Sequence, residues 1–154
     1  MKSLDVVPIR RARPRTWHDV EEELTAEVHF LGGLIAGPPV VAEEATPIDV
    51  VRAHLIERRI SAVVVVDAGR SLRGLVTRTD VLRAPRDATA GAAMSPFVFC
   101  LPAVARIERA AALMAYENVA HLVVTGPDSE LLGLVSAVDV ARHYAILSGF
   151  LAAP

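Results

Sequence analysis

Residues 60–81 read ISAVVVVDAGRSLRGLVTRTDV, and residues 119–140 read VAHLVVTGPDSELLGLVSAVDV. Placing Ile60 on Val119 aligns the two stretches without a gap, and eight of the 22 aligned positions are identical. The two stretches are 59 residues apart, from Ile60 to Val119. This separation is the repeat offset, and two residues that it relates are called twins. A repeat of this length predicts two copies of one structural unit, each too small to bury its own apolar face. The two copies are therefore expected to pack on each other, and a site on one copy has a twin on the other.

The elements predicted for each copy follow one order: short strand, helix, apolar strand, turn, second strand and short helix. In the first copy the short strand is Val40-Val41, and the strand pair spans residues 60–66 and 72–77. In the second copy the corresponding segments are residues 97–101, 119–125 and 131–136. The continuous apolar runs indicate strands that are covered on both faces.

The first helix has a clear start signal in Thr46-Pro47-Ile48-Asp49, with the threonine as N-cap and proline at the first helical position. Ile48, Val51, Leu55 and Ile56 follow at helical spacing and predict its buried face. Ile107, Ala110, Ala111 and Met114 do the same in the second copy.

Two connecting regions are less regular. Residues 89–96 predict a helical turn that enters a loop, and residues 25–30 are its expected counterpart before the first copy, with 31–38 looped out. After Asp139 the last helix is expected to run on, with an apolar stripe over Tyr144, Leu147, Phe150 and Leu151. This stripe is either a dimer or partner surface or a face that packs against its own unit.

The bulk composition predicts a globular protein. The chain has 154 residues, a net charge of −2 and 53% hydrophobic residues, and no run reaches the roughly 18 to 20 apolar residues of a membrane span. Because the charges balance, nucleic acid is not an expected partner. Cys100 is the single cysteine, which excludes an intramolecular disulfide and favours a reducing, cytoplasmic location.

The N-terminal region differs from the repeats and is predicted to be a basic tail with a short helix over residues 1–36. Five cations stand near its start, broken by prolines: Lys2, Arg10, Arg11, Arg13 and Arg15. A solvated tail and a partner-binding arm both fit this pattern. The remaining chain is divided into a first repeat at 37–86 and a second repeat at 87–154, which includes the C-terminal helix.

Both copies end their last strand with a glycine, two apolar residues, a hydroxyl and a carboxylate three residues on: Thr77 with Asp80, and Ser136 with Asp139. At a strand-to-helix junction this spacing can turn both groups toward one point. An ionised carboxylate accepts two hydrogen bonds at once, which suits the vicinal hydroxyls of a ribose. The alternative is that each aspartate only caps the helix that follows.

In this element order, with GLVTRTDV and GLVSAVDV closing the two copies and Met94-Ser95-Pro96 between them, the chain resembles the tandem CBS-domain family, named after cystathionine β-synthase. The resemblance covers residues 39–144. It implies an α/β (α+β) fold of two pseudo-symmetric β-α-β-β-α repeats packed through their sheets. It also implies a regulatory module rather than an enzyme, without a structural metal. Its two clefts would bind AMP, ADP, ATP or S-adenosylmethionine.

The resemblance assigns the ribose contacts to Thr77 with Asp80 and to Ser136 with Asp139. It assigns the apolar contacts of the base to Val40, Val41, Phe99, Cys100, Ile60, Val63, Val64, Val119, Leu122 and Val123.

Many members carry glycine where this chain has Arg59 and Asn118, and proline where it has Val64 and Val123. Signalling is expected through a homodimer or an unknown effector protein. A ligand-free scaffold for dimerisation and docking is the alternative function.

Two basic residues are candidate phosphate contacts, and neither has a basic twin: His121 corresponds to Ala62, and Arg78 to Ala137. Because phosphates in the family are often held from the opposite repeat, His121 is expected to serve the cleft of Thr77 and Asp80. That cleft is the one predicted to be occupied. The alternatives are a partly buried strand histidine with a backbone partner and a solvated arginine.

Overall fold

The computed structural model describes residues 29–152. The basic N-terminal tail, and most of the segment expected to precede the first repeat as a helical turn, lie outside the described residues.

The first half of the described chain forms one α/β unit. After a 3₁₀ helix at Leu31–Leu34, its elements are β1 (Val41–Glu43), α1 (Ile48–Glu57), β2 (Ala62–Val66), β3 (Leu72–Thr77) and α2 (Arg78–Arg83). The second half repeats this order with α3 (Ala90–Ala93), β4 (Cys100–Pro102), α4 (Ile107–Glu117), β5 (His121–Thr125), β6 (Leu131–Ser136) and α5 (Ala137–Leu147). The predicted two-copy α/β architecture is confirmed.

Each unit has a three-stranded sheet, ordered β1-β2-β3 in the first and β4-β5-β6 in the second. In both sheets the short first strand runs parallel to the middle strand, and the last strand runs antiparallel to it. A register shift falls between Val65 and Val66 in one sheet and between Val124 and Thr125 in the other. The repeat offset therefore holds even for this irregularity.

The apolar side chains form three cores. Val63 and Val65 pack in the core of the first unit with its helices, while Val64 and Val66 pack in a separate core that includes Val123 from the second sheet. All five residues of β2 are buried, as the continuous apolar run predicted. The third core belongs to the second unit. The middle core joins the two sheets face to face.

The segment before β1 packs on the opposite unit. Leu31 is buried in the core of the second unit, and its N–H donates to Ala105 O at 2.8 Å. In the same way, Ala90 lies in the core of the first unit and its N–H donates to Thr46 O at 2.7 Å. Leu31 and Ala90 are twins under the repeat offset, so the prediction that 31–38 is looped out is wrong. The repeat continues through this segment without a gap.

The boundaries of several elements differ from prediction. Thr46 does not cap α1, because its hydroxyl accepts a hydrogen bond from the Glu43 N–H at 3.0 Å in the preceding turn. Ile56 is 68% exposed, since its position turns it away from the core that holds Leu55. The short strands also begin later than predicted, at Val41 and Cys100.

The last helix ends at Leu147, so the predicted apolar stripe is divided. Tyr144 packs against the core of the second unit. Phe150 lies beyond the helix and is 83% exposed, and Leu151 is also exposed. Only the first part of the stripe serves its own unit.

Candidate functional site

Two clefts lie where the last strand of one unit ends next to the middle strand of the other. The larger has a volume of about 550 Å³ and the smaller about 220 Å³. The walls of the smaller cleft are Leu75, Thr77, Thr79, Ser95, Phe97, Val98, Phe99, Val119, Ala120 and His121. The repeat offset relates each of these to a twin in the wall of the larger cleft. The two clefts are therefore symmetry-related versions of one site.

The hydroxyl and carboxylate pairs occupy the predicted strand-to-helix junctions and form capping boxes. The Thr77 hydroxyl and N–H donate to Asp80 Oδ2 at 2.6 and 2.8 Å, and the Asp80 N–H donates to Thr77 Oγ1 at 3.4 Å. Ser136 and Asp139 repeat this geometry at 2.6, 2.9 and 3.3 Å. The capping alternative therefore describes both aspartates as they stand.

The second carboxylate oxygen distinguishes the two pairs. Asp139 Oδ1 accepts a hydrogen bond from Arg142 Nη1 at 3.2 Å, whereas Asp80 Oδ1 accepts none from the residues that the structure describes. A carboxylate has about four lone-pair sites, so capping leaves each aspartate able to accept further hydrogen bonds. Capping and ribose binding are compatible roles for these groups.

Charge separates the clefts more strongly. Arg59, Arg78 and Arg142 line the larger cleft, and the described walls of the smaller cleft contain no arginine or lysine. Arg78 thus lies beside Asp139 rather than in the cleft of its own Thr77 motif. Its Nε donates to Ile60 O at 3.1 Å, which fixes the guanidinium on the wall.

Arg59 has an unusual backbone conformation. It follows α1 with φ of 53°, and its twin Asn118 follows α4 with the same φ. This left-handed region favours glycine and tolerates asparagine, but it costs other L-residues free energy. Arginine at this position is therefore strained.

His121 stands between the two clefts and lines both. Its Nε2 shares a 2.8 Å hydrogen bond with Ser61 Oγ, so its partner is a side chain of the other unit and not the backbone group that the sequence favours. Burial lowers the pKa of His121, and the Arg78 charge lowers it further against the opposing effect of Asp139 and Asp80. Burial of His121 therefore favours its neutral form.

The apolar residues assigned to the base divide into two groups. Val40 and Ile60 line the larger cleft, and Phe99 and Val119 line the smaller. The others do not reach either wall: Val63, Val64, Leu122 and Val123 are fully buried in the cores, Val41 packs between the sheets, and Cys100 is exposed outside both clefts. The four buried side chains do not reach the clefts because both faces of each sheet are covered, one by the helices of its own unit and the other by the opposite sheet.

Sequence reasoning missed several wall residues, notably Ser61, Arg59 and Arg142. Arg142 follows Asp139 by three residues on α5, which places the two side chains on one helix face. Ser61 and Arg59 precede β2, and only the fold shows that they line the larger cleft. The repeat offset marks their twins, Ala120 and Asn118, at the same positions on the second unit.

No cluster of three or more His, Cys, Asp or Glu side chains suited to a metal ion occurs within residues 29–152. Across the same range, none of the helices combines the length and apolar character that crossing a membrane requires.

The family model for the CBS domain matches residues 32–87 and 90–146. The chain therefore belongs to the CBS-domain family and carries two tandem CBS domains. No curated protein matches the chain in sequence.

Solved structures of CBS proteins share the fold. The CBS domain protein PAE2072 from Pyrobaculum aerophilum, complexed with AMP, is 25% identical with a TM-score of 0.71, covering 81% of this chain and all of that one (100%). The CBS domain pair of protein MJ0100, in complex with 5′-methylthioadenosine and S-adenosyl-L-methionine, is 21% identical with a TM-score of 0.72, over 77% and 98% of the two chains. CBSX2 in complex with AMP is 20% identical with a TM-score of 0.68, over 78% and 98%.

Proposed function

We propose that this protein is a regulatory module that binds an adenosine-containing ligand in the clefts between its two CBS repeats. The observation that carries the proposal is the pair of symmetry-related clefts, each with a hydroxyl and a carboxylate at its strand-to-helix junction. AMP in PAE2072 and in CBSX2, and S-adenosyl-L-methionine in the MJ0100 pair, support this class of ligand.

The larger cleft suits such a ligand in size and chemistry. Its volume of about 550 Å³ falls within the range of roughly 300 to 1,000 Å³ typical of small-molecule sites. Asp139 would accept hydrogen bonds from the ribose hydroxyls, while Val40 and Ile60 offer apolar contact to the base. Volume and charge favour this cleft over the Thr77 and Asp80 cleft that the sequence led us to expect.

Ligand occupancy would be transmitted through the contact between the repeats. The hydrogen bond between Ser61 and His121 joins the two units at the boundary of both clefts. A ligand that contacts His121 from either side would favour one arrangement of the repeats, and the populations would shift accordingly. The output would pass through a homodimer or an effector protein in the cytoplasm, with no catalytic step.

A thermal-shift panel tests the proposal, with AMP, ADP, ATP, S-adenosylmethionine and NAD added to the native protein and to Asp139→Ala and Asp80→Ala. Ligand at about 100 times its Kd stabilises by roughly 2.7 kcal/mol, which is about 5 to 10 °C for a chain of this length. Each variant loses a capping box worth about 1 kcal/mol, so every shift is measured against the same variant without ligand.

We expect a shift with the phosphorylated ligands AMP, ADP or ATP in the native protein and in Asp80→Ala that disappears in Asp139→Ala. The engagement of both carboxylates in capping boxes favours a second candidate function, a ligand-free scaffold for dimerisation and docking. If no compound in the panel raises the Tm of the native protein, the sensor proposal is wrong and the scaffold takes its place.

A further inference from the structure

The two clefts are related by symmetry but differ in charge. Arg59, Arg78 and Arg142 line the larger cleft together with one carboxylate, Asp139, which leaves an excess of two positive charges. Their twins on the side of the smaller cleft are Asn118, Ala137 and Arg83, and none of these lines its wall. Asp80, the twin of Asp139, does not line this wall, but its carboxylate is hydrogen-bonded to Thr77, which does.

Hydrogen bonds hold two of the three arginines of the larger cleft, Arg78 and Arg142. Arg78 is anchored through Nε to Ile60 O, and no residue within 29–152 accepts a hydrogen bond from its two terminal nitrogens. Arg142 is oriented by Asp139 Oδ1. Arg59 occupies a left-handed conformation that is costly for residues other than glycine and asparagine, and such strain tends to persist where a side chain has a functional role.

The walls of the smaller cleft offer a different chemistry. They consist of apolar side chains and hydroxyls, such as Phe99, Val119, Thr77 and Thr79, with His121 at the boundary, where burial favours its neutral form. A phosphate placed there would lose part of its hydration without a cation in the described wall to pair with it. Burial of an unpaired charge is costly, so this cleft disfavours anions.

We infer that the two clefts take different ligands: the larger takes a phosphorylated nucleoside, and the smaller takes a nucleoside without phosphate. This inference rests on the proposed function and adds to it the chemical class for each cleft. One chain would then report on two ligands, and ADP and a neutral adenosine compound would bind together rather than compete.

Isothermal titration of the full chain tests this assignment with ADP, adenosine and 5′-methylthioadenosine as probes. We expect one ADP per chain, bound at least about tenfold tighter than adenosine binds to the same cleft, because charge-assisted hydrogen bonds hold the phosphates. Protein saturated with ADP should still bind one 5′-methylthioadenosine per chain.

Variants that exchange twin residues separate the two clefts. Arg78→Ala, which installs the residue found at the twin position, should weaken ADP about three- to tenfold and leave 5′-methylthioadenosine unchanged. The double variant Asn118→Arg with Ala137→Arg carries the cations to the smaller cleft and should raise the ADP stoichiometry from one to two. Arg83→Ala, which removes an arginine outside both walls, is the matched control and should bind as the native protein does.

Two results would overturn the inference and leave the proposed function intact. They are equal affinity for ADP and adenosine that Arg78→Ala does not change, and displacement of 5′-methylthioadenosine by ADP. Failure of all three probes to bind would overturn the proposed function together with the inference.

Discussion

Replacing Arg59 by glycine should stabilise the protein while weakening its nucleotide site. Arg59 has a φ of 53°, a conformation that costs an L-residue roughly 1 to 2 kcal/mol. Glycine removes this cost but adds about 0.4 to 1 kcal/mol of chain entropy to the unfolded state. The net gain is on the order of 0.5 to 1 kcal/mol, or about 1 to 4 °C in Tm for a chain of this length.

The same substitution removes one of three guanidinium groups from the larger cleft. An exposed charge contact is worth up to about 1 kcal/mol, so the affinity for ADP should fall about two- to fivefold. Asn118→Gly is the matched control because Asn118 has the same φ on the other unit. Asparagine tolerates this region, so its replacement should stabilise less and leave ADP binding unchanged.

Thermal unfolding without ligand and isothermal titration with ADP measure the two effects on the same samples. A lower Tm for Arg59→Gly would refute the argument from backbone strain. A raised Tm with unchanged ADP affinity would show that Arg59 does not contact the ligand.

Two further predictions concern the packing and the histidine. At Gly133 an added Cβ would lie 2.5 Å from Ile35 Cγ2, so Gly133→Ala should lower stability by about 1 to 3 kcal/mol in denaturant unfolding. Gly33→Ala, where nothing lies within 4 Å, should be nearly neutral, and equal effects would contradict the docking of this segment on the second sheet. Burial holds the pKa of His121 below its usual 6.5. As the pH falls, the His121 imidazole is therefore protonated at a higher pH in the unfolded chain than in the folded chain. Stability should therefore be complete above about pH 6.5 and fall as the pH drops through the folded pKa. The double variant Ser61→Ala with His121→Ala reproduces the pair found at the twin positions, Ala120 and Ala62. It should make the fall of stability with pH shallower, and an unchanged slope would exclude His121 as the source of the fall.

The repeat is visible in the sequence because its apolar strands and turns recur at a constant offset. β3 and β6 begin and end where the pattern placed them. The pattern does not reveal the segment at Leu31–Leu34 as part of the repeat, because this segment and α3 share little beyond Gly32 and Gly91. Its place on the opposite unit depends on tertiary hydrogen bonds that no local pattern encodes.

The candidate site was predictable in part. The hydroxyl and carboxylate pairs stand at the predicted junctions, but one spacing of Thr or Ser with Asp serves both capping and ligand contact, so the pattern could not separate these roles. The assignment of Arg78 depended on which unit faces it, and only the packing of the two sheets placed it beside Asp139. The continuous apolar runs could have identified Val63 and Leu122 as core residues, since such strands are covered on both faces.

The most direct test of the nucleotide site is a crystal structure of the protein grown with saturating ADP. We predict one ADP per chain in the larger cleft, with the ribose on Ser136 and Asp139 and the phosphates toward Arg59, Arg78 and Arg142. ADP in the cleft of Thr77 and Asp80, or a larger cleft without nucleotide at saturation, would contradict the account.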